Sequence, residues 1–250
     1  MTDPAALLEK FYQDVRKNLE NSLVDDDELR SKIEFVCRCP TNKAPIRFLL
    51  ACLLGKLEDP KVDIRKPYTE IGGKGTYSGR SYDEQFVEPF VIKYKLPINP
   101  TTAFLTPAFR NIDRKLSTDL VLVGRPRQVY INVLELLDHV QRGKLEASDV
   151  LKEIFRFLVI IKTENETRMK QLLRELKHSE DALPLSSEQI VTLLQQHLSS
   201  KNSSRLPVLM VVAAYLAVKD RVGETALPLQ SHTAADSQTG SIGDVEVTLV

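Results

Sequence analysis

The sequence predicts a mainly helical protein that is followed by the first strand of an α/β core. Three observations support this class. Apolar residues recur at helical spacing in most segments between residues 4 and 222. A polar, irregular stretch follows at residues 223–242. The last eleven residues, Gly240–Val250, then alternate valine or leucine with polar residues, and this period of two is typical of a strand.

The composition is that of a globular chain with balanced charge. The 250 residues are 42% hydrophobic and 27% charged, with a formal net charge of zero, so they fill one large domain or two ordinary ones. Positive charge is concentrated in residues 61–128, which hold 12 Lys and Arg against seven Asp and Glu. This local excess suits an anionic partner, although the overall balance neither indicates nor excludes nucleic acid.

The cysteines and the longest apolar segment indicate the cellular compartment of the protein. An odd number of cysteines, Cys37, Cys39 and Cys52, without a signal-peptide pattern predicts a reduced, cytoplasmic setting. The C-x-C spacing has no fourth ligand nearby, so buried thiols are expected instead of a zinc site. The longest apolar stretch, Leu206–Val218, is too short to span a bilayer, and no membrane insertion is expected.

Three helices are predicted before residue 60. The segment Pro4–Asn21 carries apolar residues at helical spacing and has proline at its first helical position. The acidic run Asp25–Glu28 precedes a second helix, where negative charge suits a helix N-terminus, and Pro40 ends that helix. The third helix, from Lys43 to Leu57, is apolar over nearly all of its middle and is predicted to lie in the core.

A long loop is predicted over residues 60–81, which contain four glycines and no helical period. Lys74 and Arg80 lie in it, and glycines allow a backbone to approach a phosphate closely. Its GGKGT stretch lacks the spacing and the preceding strand of a P-loop. Two interpretations of this segment remain open: a loop that contacts phosphate and a solvated surface loop. The tyrosines in and beside the loop are Tyr68, Tyr77 and Tyr82.

Helices are predicted again from residue 82 onward. A helix over Tyr82–Lys95 is expected to be kinked by Pro89, and Thr101 or Thr102 is expected to cap a short helical piece. The spacing of apolar residues over residues 127–222 predicts a helical layer, in which Ala147–Lys162 and Glu166–Lys177 are separate helical segments. The resulting domain organisation is a helical domain over residues 1–222 and a linker with the start of a second domain over residues 223–250.

The terminal strand carries two carboxylates. Asp244 stands at its start, and Glu246 points to the same face by the period of two. In metal-dependent nucleases, a strand carboxylate and a Glu or Asp two residues before a Lys on the next strand hold Mg²⁺, which activates water. An aspartate before a strand is more often a turn residue, and Glu246 suits a core or surface position equally well.

Three blocks of sequence resemble type II restriction endonucleases of the SacI kind over roughly residues 42–250. The first two blocks are the more specific, and the third contains the terminal strand. The blocks are APIRFLLACLLGKLEDPKVDIRKPYTE, TYSGRSYDEQFVEPFVIKYKLPINPTTAFLTPAFRN and SHTAADSQTGSIGDVEVTLV.

The resemblance implies a helical N-terminal region before a nuclease core of the PD-(D/E)xK type, which cleaves double-stranded DNA with Mg²⁺. It implies that Asp244 is the first catalytic, metal-binding aspartate of that core. Glu246 is a candidate second metal ligand only because the period of two places it on the same face of the strand. No E-x-K or D-x-K follows Asp244, and the DVLK run at residues 149–152 lies in a predicted helix with the wrong order. We therefore expect a truncated enzyme that is inactive without a missing C-terminal segment, which would also supply a pairing partner for the terminal strand.

The positive residues of the central region are the expected DNA contacts. They are Lys74, Arg80, Arg110, Arg114, Arg125 and Arg127. Two alternatives to a nuclease remain open: a non-catalytic helical DNA-binding module, and a protein-interaction scaffold whose apolar Leu206–Val218 helix packs against a partner chain. A homodimer is common among type II enzymes, but these residues reveal no self-complementary surface.

Overall fold

The computed structural model describes residues 3–178, 186–198, 206–227, 245 and 247–249. It is 63% helix and 2% strand, which confirms the mainly helical class. The chain divides into two compact units, residues 1–172 and 173–250. Within the described residues, no helix has the length and apolar character needed to cross a membrane.

The helices of the first unit begin near the positions that the sequence predicts. Short 3₁₀ turns at Thr69–Ile71 and Ala103–Leu105 lie between some of them. The helices are α1 (Pro4–Lys17), α2 (Asp27–Arg38), α3 (Ala44–Glu58), α4 (Gly79–Tyr82), α5 (Glu88–Tyr94), α6 (Arg127–Gln141) and α7 (Ala147–His178), the last of which contains the boundary between the units.

Aspartate side chains begin the first two helices. The Asp3 carboxylate accepts a hydrogen bond of 3.0 Å from the backbone N–H of Ala5. The Asp26 carboxylate accepts from the N–H groups of Glu28 and Leu29 at 2.9 and 3.0 Å. These N-terminal N–H groups have no partner within the helix, so the caps fix both helix starts.

The helix predicted around Pro89 is interrupted by a wider turn. Residues Asp83–Val87 form a π-helical turn between α4 and α5. Pro89 has no N–H to donate to the carbonyl of Gln85, and its ring would clash with that carbonyl in a regular helix. The wider turn relieves both problems, so the predicted irregularity is present but lies just before the proline.

Helix α7 joins two segments that the sequence predicts as separate. It runs without a break through the polar residues 163–166, which read TENE. These residues contain neither glycine nor proline, so no local feature ends the helix. The change from an apolar to a polar composition marks where α7 leaves the core, because residues 163–171 are exposed.

The core of the first unit surrounds α3, whose residues 44–55 are all buried. Phe48 of α3 stacks on Phe109 with ring centroids 4.0 Å apart, and Phe104 lies 4.8 Å from Phe48. The predicted core position of this helix is confirmed. The three cysteines are buried and free, as predicted, and burial raises the pKa of Cys37 to about 12.

The second unit contains two helices and a short β-ribbon among its described residues. The elements are α8 (Ser187–Leu198), α9 (Leu206–Val222), β1 (Glu224–Ala226) and β2 (Val247–Leu249). The strands are antiparallel, with Thr225 opposite Thr248. The terminal strand is confirmed at Val247–Leu249, but the prediction that its partner lies outside this sequence is wrong, because β1 pairs with it.

Strand β1 lies inside the segment predicted to be a linker. The residues ETA follow Gly223, whose positive φ of 69° turns the chain after α9. Threonine favours a strand, but glutamate and alanine do not, so the three residues give no strand signal on their own. The described residues form a two-stranded ribbon, and the α/β core remains a prediction.

Helix α9 is apolar on all sides and is exposed along much of its length. Leu209, Val211 and Leu216 are about half exposed. A helix that is hydrophobic all round is usually buried. This exposure is the observation that favours the interaction-scaffold alternative.

We expect stability to depend on Glu9 in acid. Hydrogen bonds from Tyr94 and Lys93 lower the pKa of Glu9 from 4.5 to about 2. A carboxylate with a lowered pKa stabilises the fold above its unfolded pKa, and this contribution is lost as the pH falls from 4.5 toward 2. Glu9→Gln should therefore flatten the decline of the melting temperature between pH 5 and pH 3, as measured by circular dichroism.

The control for this prediction is Glu20→Gln, because Glu20 is an exposed carboxylate close to the same helix. Glu20→Gln should leave the pH dependence of the melting temperature the same as in the unmodified protein. An identical acid profile for Glu9→Gln and the unmodified chain would contradict the stabilising role of Glu9.

Candidate nucleic-acid interface

The long loop over residues 60–81 is anchored by two buried tyrosines. The Tyr68 hydroxyl donates to the carbonyl of Phe109 at 2.6 Å, and the Tyr77 hydroxyl donates to the carbonyl of Ile64 at 3.1 Å. The interpretation as a solvated surface loop is therefore wrong for these residues. Neither tyrosine is accessible to a base, whereas Lys74 and Arg80, the two cations of the loop that are predicted to contact DNA, are exposed.

A buried arginine of α3 connects the turn before α5, the start of α5 and the loop after it. Arg47 has no exposed surface and donates from Nε to Asp83 Oδ1 and from Nη2 to Glu88 Oε2, both at 2.6 Å. Its Nη1 donates to the backbone carbonyl of Asn99 at 3.0 Å. Arg47 thus ties the interior of α3 to the α4–α5 helical segment and to the loop after α5.

The second carboxylate oxygen of Asp83 accepts hydrogen bonds at the start of the next turn. Asp83 Oδ2 accepts from the Thr102 hydroxyl at 2.5 Å and from the Ala103 N–H at 3.2 Å. Burial raises the pKa of Asp83, and the hydrogen bonds from Thr102 and Arg47 oppose that rise. Thr102 also caps the short turn that follows, as the sequence predicts. This network fixes residues 99–105, which lead into the walls of two clefts.

The larger of these clefts, here called the Asn42–Arg125 cleft, has a volume of about 650 Å³. Its charged lining residues are Lys43 and Arg125, and Asn42 and Asn99 add two amide side chains. No aspartate or glutamate is among its lining residues. An anion would therefore enter this cleft without meeting a carboxylate.

Asn42 holds two walls of this cleft together. Its Nδ2 donates to the carbonyl of Arg125 at 3.0 Å and to the hydroxyl of Tyr130 at 2.6 Å. A Cβ on Gly124 would lie 2.4 Å from the Tyr130 ring, so this close approach requires glycine. Lys43 donates from Nζ to the carbonyl of Cys37 at 2.6 Å, and burial lowers the pKa of Lys43.

A second cleft, here called the Arg80–Arg110 cleft, has a volume of about 340 Å³. Glu70 and Asp113 line it together with the two arginines. Arg80 also forms an exposed ion pair with Glu84 at 2.7 Å. The acidic residues offset the positive charge, so this cleft is the weaker candidate for a polyanion.

The structure brings together some of the predicted DNA-binding residues. Arg80 and Arg110 share one cleft, and Arg125 lines the other. Residues 104–113 contribute to both clefts, with residues 106–108 at the larger one. The remaining predicted contacts are exposed but line neither cleft; they are Lys74, Arg114 and Arg127.

Sequence reasoning missed the polar residues that line the larger cleft. Asn42, Lys43 and Asn99 stand beside helix starts and prolines, where asparagine is ordinarily a turn residue. A search limited to lysine and arginine in the positive central region could not find the two asparagines. The available signal was their placement, since Asn42 lies two residues before the first resembling block and Asn99 lies within the second.

The predicted metal site lies outside the described residues, since these include neither Asp244 nor Glu246. Within the described part of the chain, no group of three or more His, Cys, Asp or Glu side chains is arranged to hold a metal ion. The DVLK run at residues 149–152 lies in α7, as predicted. Binding of Mg²⁺ at Asp244 and Glu246 stays a prediction.

Comparisons with known proteins add no family. No protein-family model matches the chain, and no curated protein matches it. The relation to restriction endonucleases therefore stays a prediction from the three sequence blocks.

Proposed function

We propose that this chain binds double-stranded DNA and is the DNA-binding portion of a type II site-specific deoxyribonuclease. The nuclease assignment rests on the resemblance of the sequence blocks. The binding assignment rests on one structural observation, an exposed positive segment that runs from the Arg80–Arg110 cleft to the Asn42–Arg125 cleft. This segment is residues 110–127.

The charge of this segment carries the proposal. Asp113 and Asp119 are its acidic residues, and hydrogen bonding by Ser117 lowers the pKa of Asp119. Five cations in the segment are exposed, and none forms an ion pair with a described residue. They are Arg110, Arg114, Lys115, Arg125 and Arg127.

Exposed cations of this kind suit a phosphate backbone. Duplex DNA carries one negative charge for about each 1.7 Å of its axis, and each phosphate that a protein neutralises releases condensed counterions. Long arginine side chains on irregular backbone can adapt to phosphates without base contacts. Binding of this type is independent of sequence, and specificity would need further contacts to base edges.

Cleavage is the second step of the proposal. It would need Mg²⁺ at Asp244 and Glu246, together with a Glu or Asp two residues before a Lys, which does not follow Asp244 in these 250 residues. We therefore expect the 250-residue chain to bind DNA and not to cleave it in the presence of Mg²⁺. Cleavage by this chain alone would contradict the proposal.

The variant Arg125→Ala/Arg127→Ala tests the binding surface. Both side chains are exposed and flank Pro126 at the start of α6, so their removal should leave the fold intact. We expect weaker binding to a 30-base-pair duplex. The slope of log affinity against log salt concentration should become shallower by about 1 for each lost phosphate contact. Fluorescence anisotropy between 50 and 200 mM salt gives both quantities.

A charge-matched control lies at the other end of the same helix. Arg142 and Lys144 follow the C-terminus of α6, about 22 Å from its start by the rise of an α-helix, and both are exposed. Arg142→Ala/Lys144→Ala should retain the full salt slope. An equal loss of duplex affinity in both double variants would show that binding depends on the total charge and not on the positive segment.

A further inference from the structure

We propose that the Asn42–Arg125 cleft binds a single unpaired nucleotide, with its phosphate near Arg125 and its base between the amide side chains. This inference deepens the proposed DNA binding and rests on it, since it names the part of the nucleic acid that this cleft takes.

The size of the cleft fits one nucleotide. Small-ligand sites usually enclose about 300–1,000 Å³, and this cleft measures about 650 Å³. A base that is stacked and paired in a duplex cannot enter such a cleft, so the nucleotide must be extruded or lie in a single strand. Proline residues supply apolar wall surface for the base. They are Pro40, Pro97 and Pro107.

The charge of the cleft favours a phosphate. Lys43 and Arg125 are its charged lining residues, and the absence of a lining carboxylate separates it from the Arg80–Arg110 cleft. Lys43 and Ala44 at the start of α3 line the cleft, and this helix start has no side-chain hydrogen bond to its first N–H groups. The start of α3 adds positive potential to the charge of the two side chains.

The two amides supply complementary polar groups for a base. Asn42 uses its Nδ2 for the cleft walls, and no described residue donates to its Oδ1. Asn99 uses its Oδ1 to accept from Thr101, and its Nδ2 has no described acceptor. The cleft therefore offers one acceptor and one donor, which is the combination that an amide uses to recognise the edge of a base.

Two exposed valines give a matched pair of variants. Val123 lines the cleft and is 74% exposed, whereas Val121 is 66% exposed and does not line it. Val123→Glu places a carboxylate in the cleft without disturbing the core. Val121→Glu introduces the same charge two residues away. Melting temperatures of both variants should stay within about 2 °C of the unmodified chain, since such exposed substitutions change stability little.

The experiment titrates the full 250-residue chain with each of the four deoxynucleoside 5′-monophosphates and with inorganic phosphate, by isothermal calorimetry. At least one nucleotide should bind with a Kd below about 1 mM, which corresponds to about −4.1 kcal/mol. Val123→Glu should weaken that binding at least tenfold. Val121→Glu should change it less than twofold, and Asn99→Ala should weaken it and reduce the difference among the four bases.

Three results would overturn the inference. They are the absence of nucleotide binding at 10 mM, equal weakening by both glutamate variants, and binding of inorganic phosphate as tight as that of every nucleotide. A duplex that still binds with a steep salt slope would then leave the proposed DNA binding intact. Nucleotide binding that is lost in Val123→Glu, without salt-dependent duplex binding, would instead contradict the proposed function and keep the nucleotide site.

Discussion

Arg47→Met is expected to lower the free energy of unfolding by about 3–5 kcal/mol, because it leaves buried carboxylate charge without its partner. Arg47 is completely buried, and its guanidinium bonds Asp83, Glu88 and the Asn99 carbonyl. Methionine matches the length of the aliphatic stem but supplies no donor. Urea denaturation followed by circular dichroism measures the loss.

Two further variants separate the ion pair from general effects of arginine removal. Arg80→Met removes an exposed arginine that pairs with Glu84, and it should cost less than about 1 kcal/mol. Adding Asp83→Asn to Arg47→Met removes the charge of Asp83 and should recover part of the stability. A loss below about 1 kcal/mol for Arg47→Met would contradict the organising role of this network.

Phe109→Ala is expected to cost about 3–5 kcal/mol, since it opens a cavity between α3 and the wall of both clefts. Phe109 is fully buried and stacks on Phe48 at a centroid distance of 4.0 Å. Alanine keeps the backbone carbonyl that accepts from the Tyr68 hydroxyl, but it removes the ring that packs on Phe48 beside Tyr68, so the loop over residues 60–81 should loosen. Chemical denaturation gives the stability, and hydrogen exchange of the loop amides gives the local effect.

Phe35→Ala is the control for this cavity. Phe35 is 44% exposed, so its truncation should cost much less than that of Phe109. Similar losses for both variants would mean that the Phe48–Phe109 stack contributes no more than a surface contact.

Local signals account for the parts of the fold that the sequence predicts well. Asp3 and Asp26 precede α1 and α2 and cap them directly. The continuous apolar run of α3 needs burial on all sides, and only the centre of a helical core provides it. The period of two at Val247–Leu249 predicts a strand correctly, but it carries no information about which segment pairs with it.

The features that the sequence does not predict depend on contacts between distant residues. Tyr68 and Tyr77 are buried because of acceptors at Phe109 and Ile64, which spacing along the chain does not reveal. The partner of the terminal strand lies more than 20 residues upstream and has weak strand propensity.

The candidate site shows the same limit. Its positive residues follow from local charge, since Arg125 and Arg127 are visible in the sequence. The combination of Arg125 with Asn42 and Asn99 in one cleft requires the packing of α3, α6 and the loop after α5. No sequence period encodes that arrangement.

We expect the positive segment over residues 110–127 to bind phosphates of duplex DNA. The most direct measurement is the affinity of the unmodified chain for a 30-base-pair duplex between 50 and 200 mM salt. With three to five phosphates neutralised, log affinity should fall linearly with log salt, with a slope of about −2.7 to −4.5. A slope near zero, or no binding at 50 mM salt, would contradict the claim.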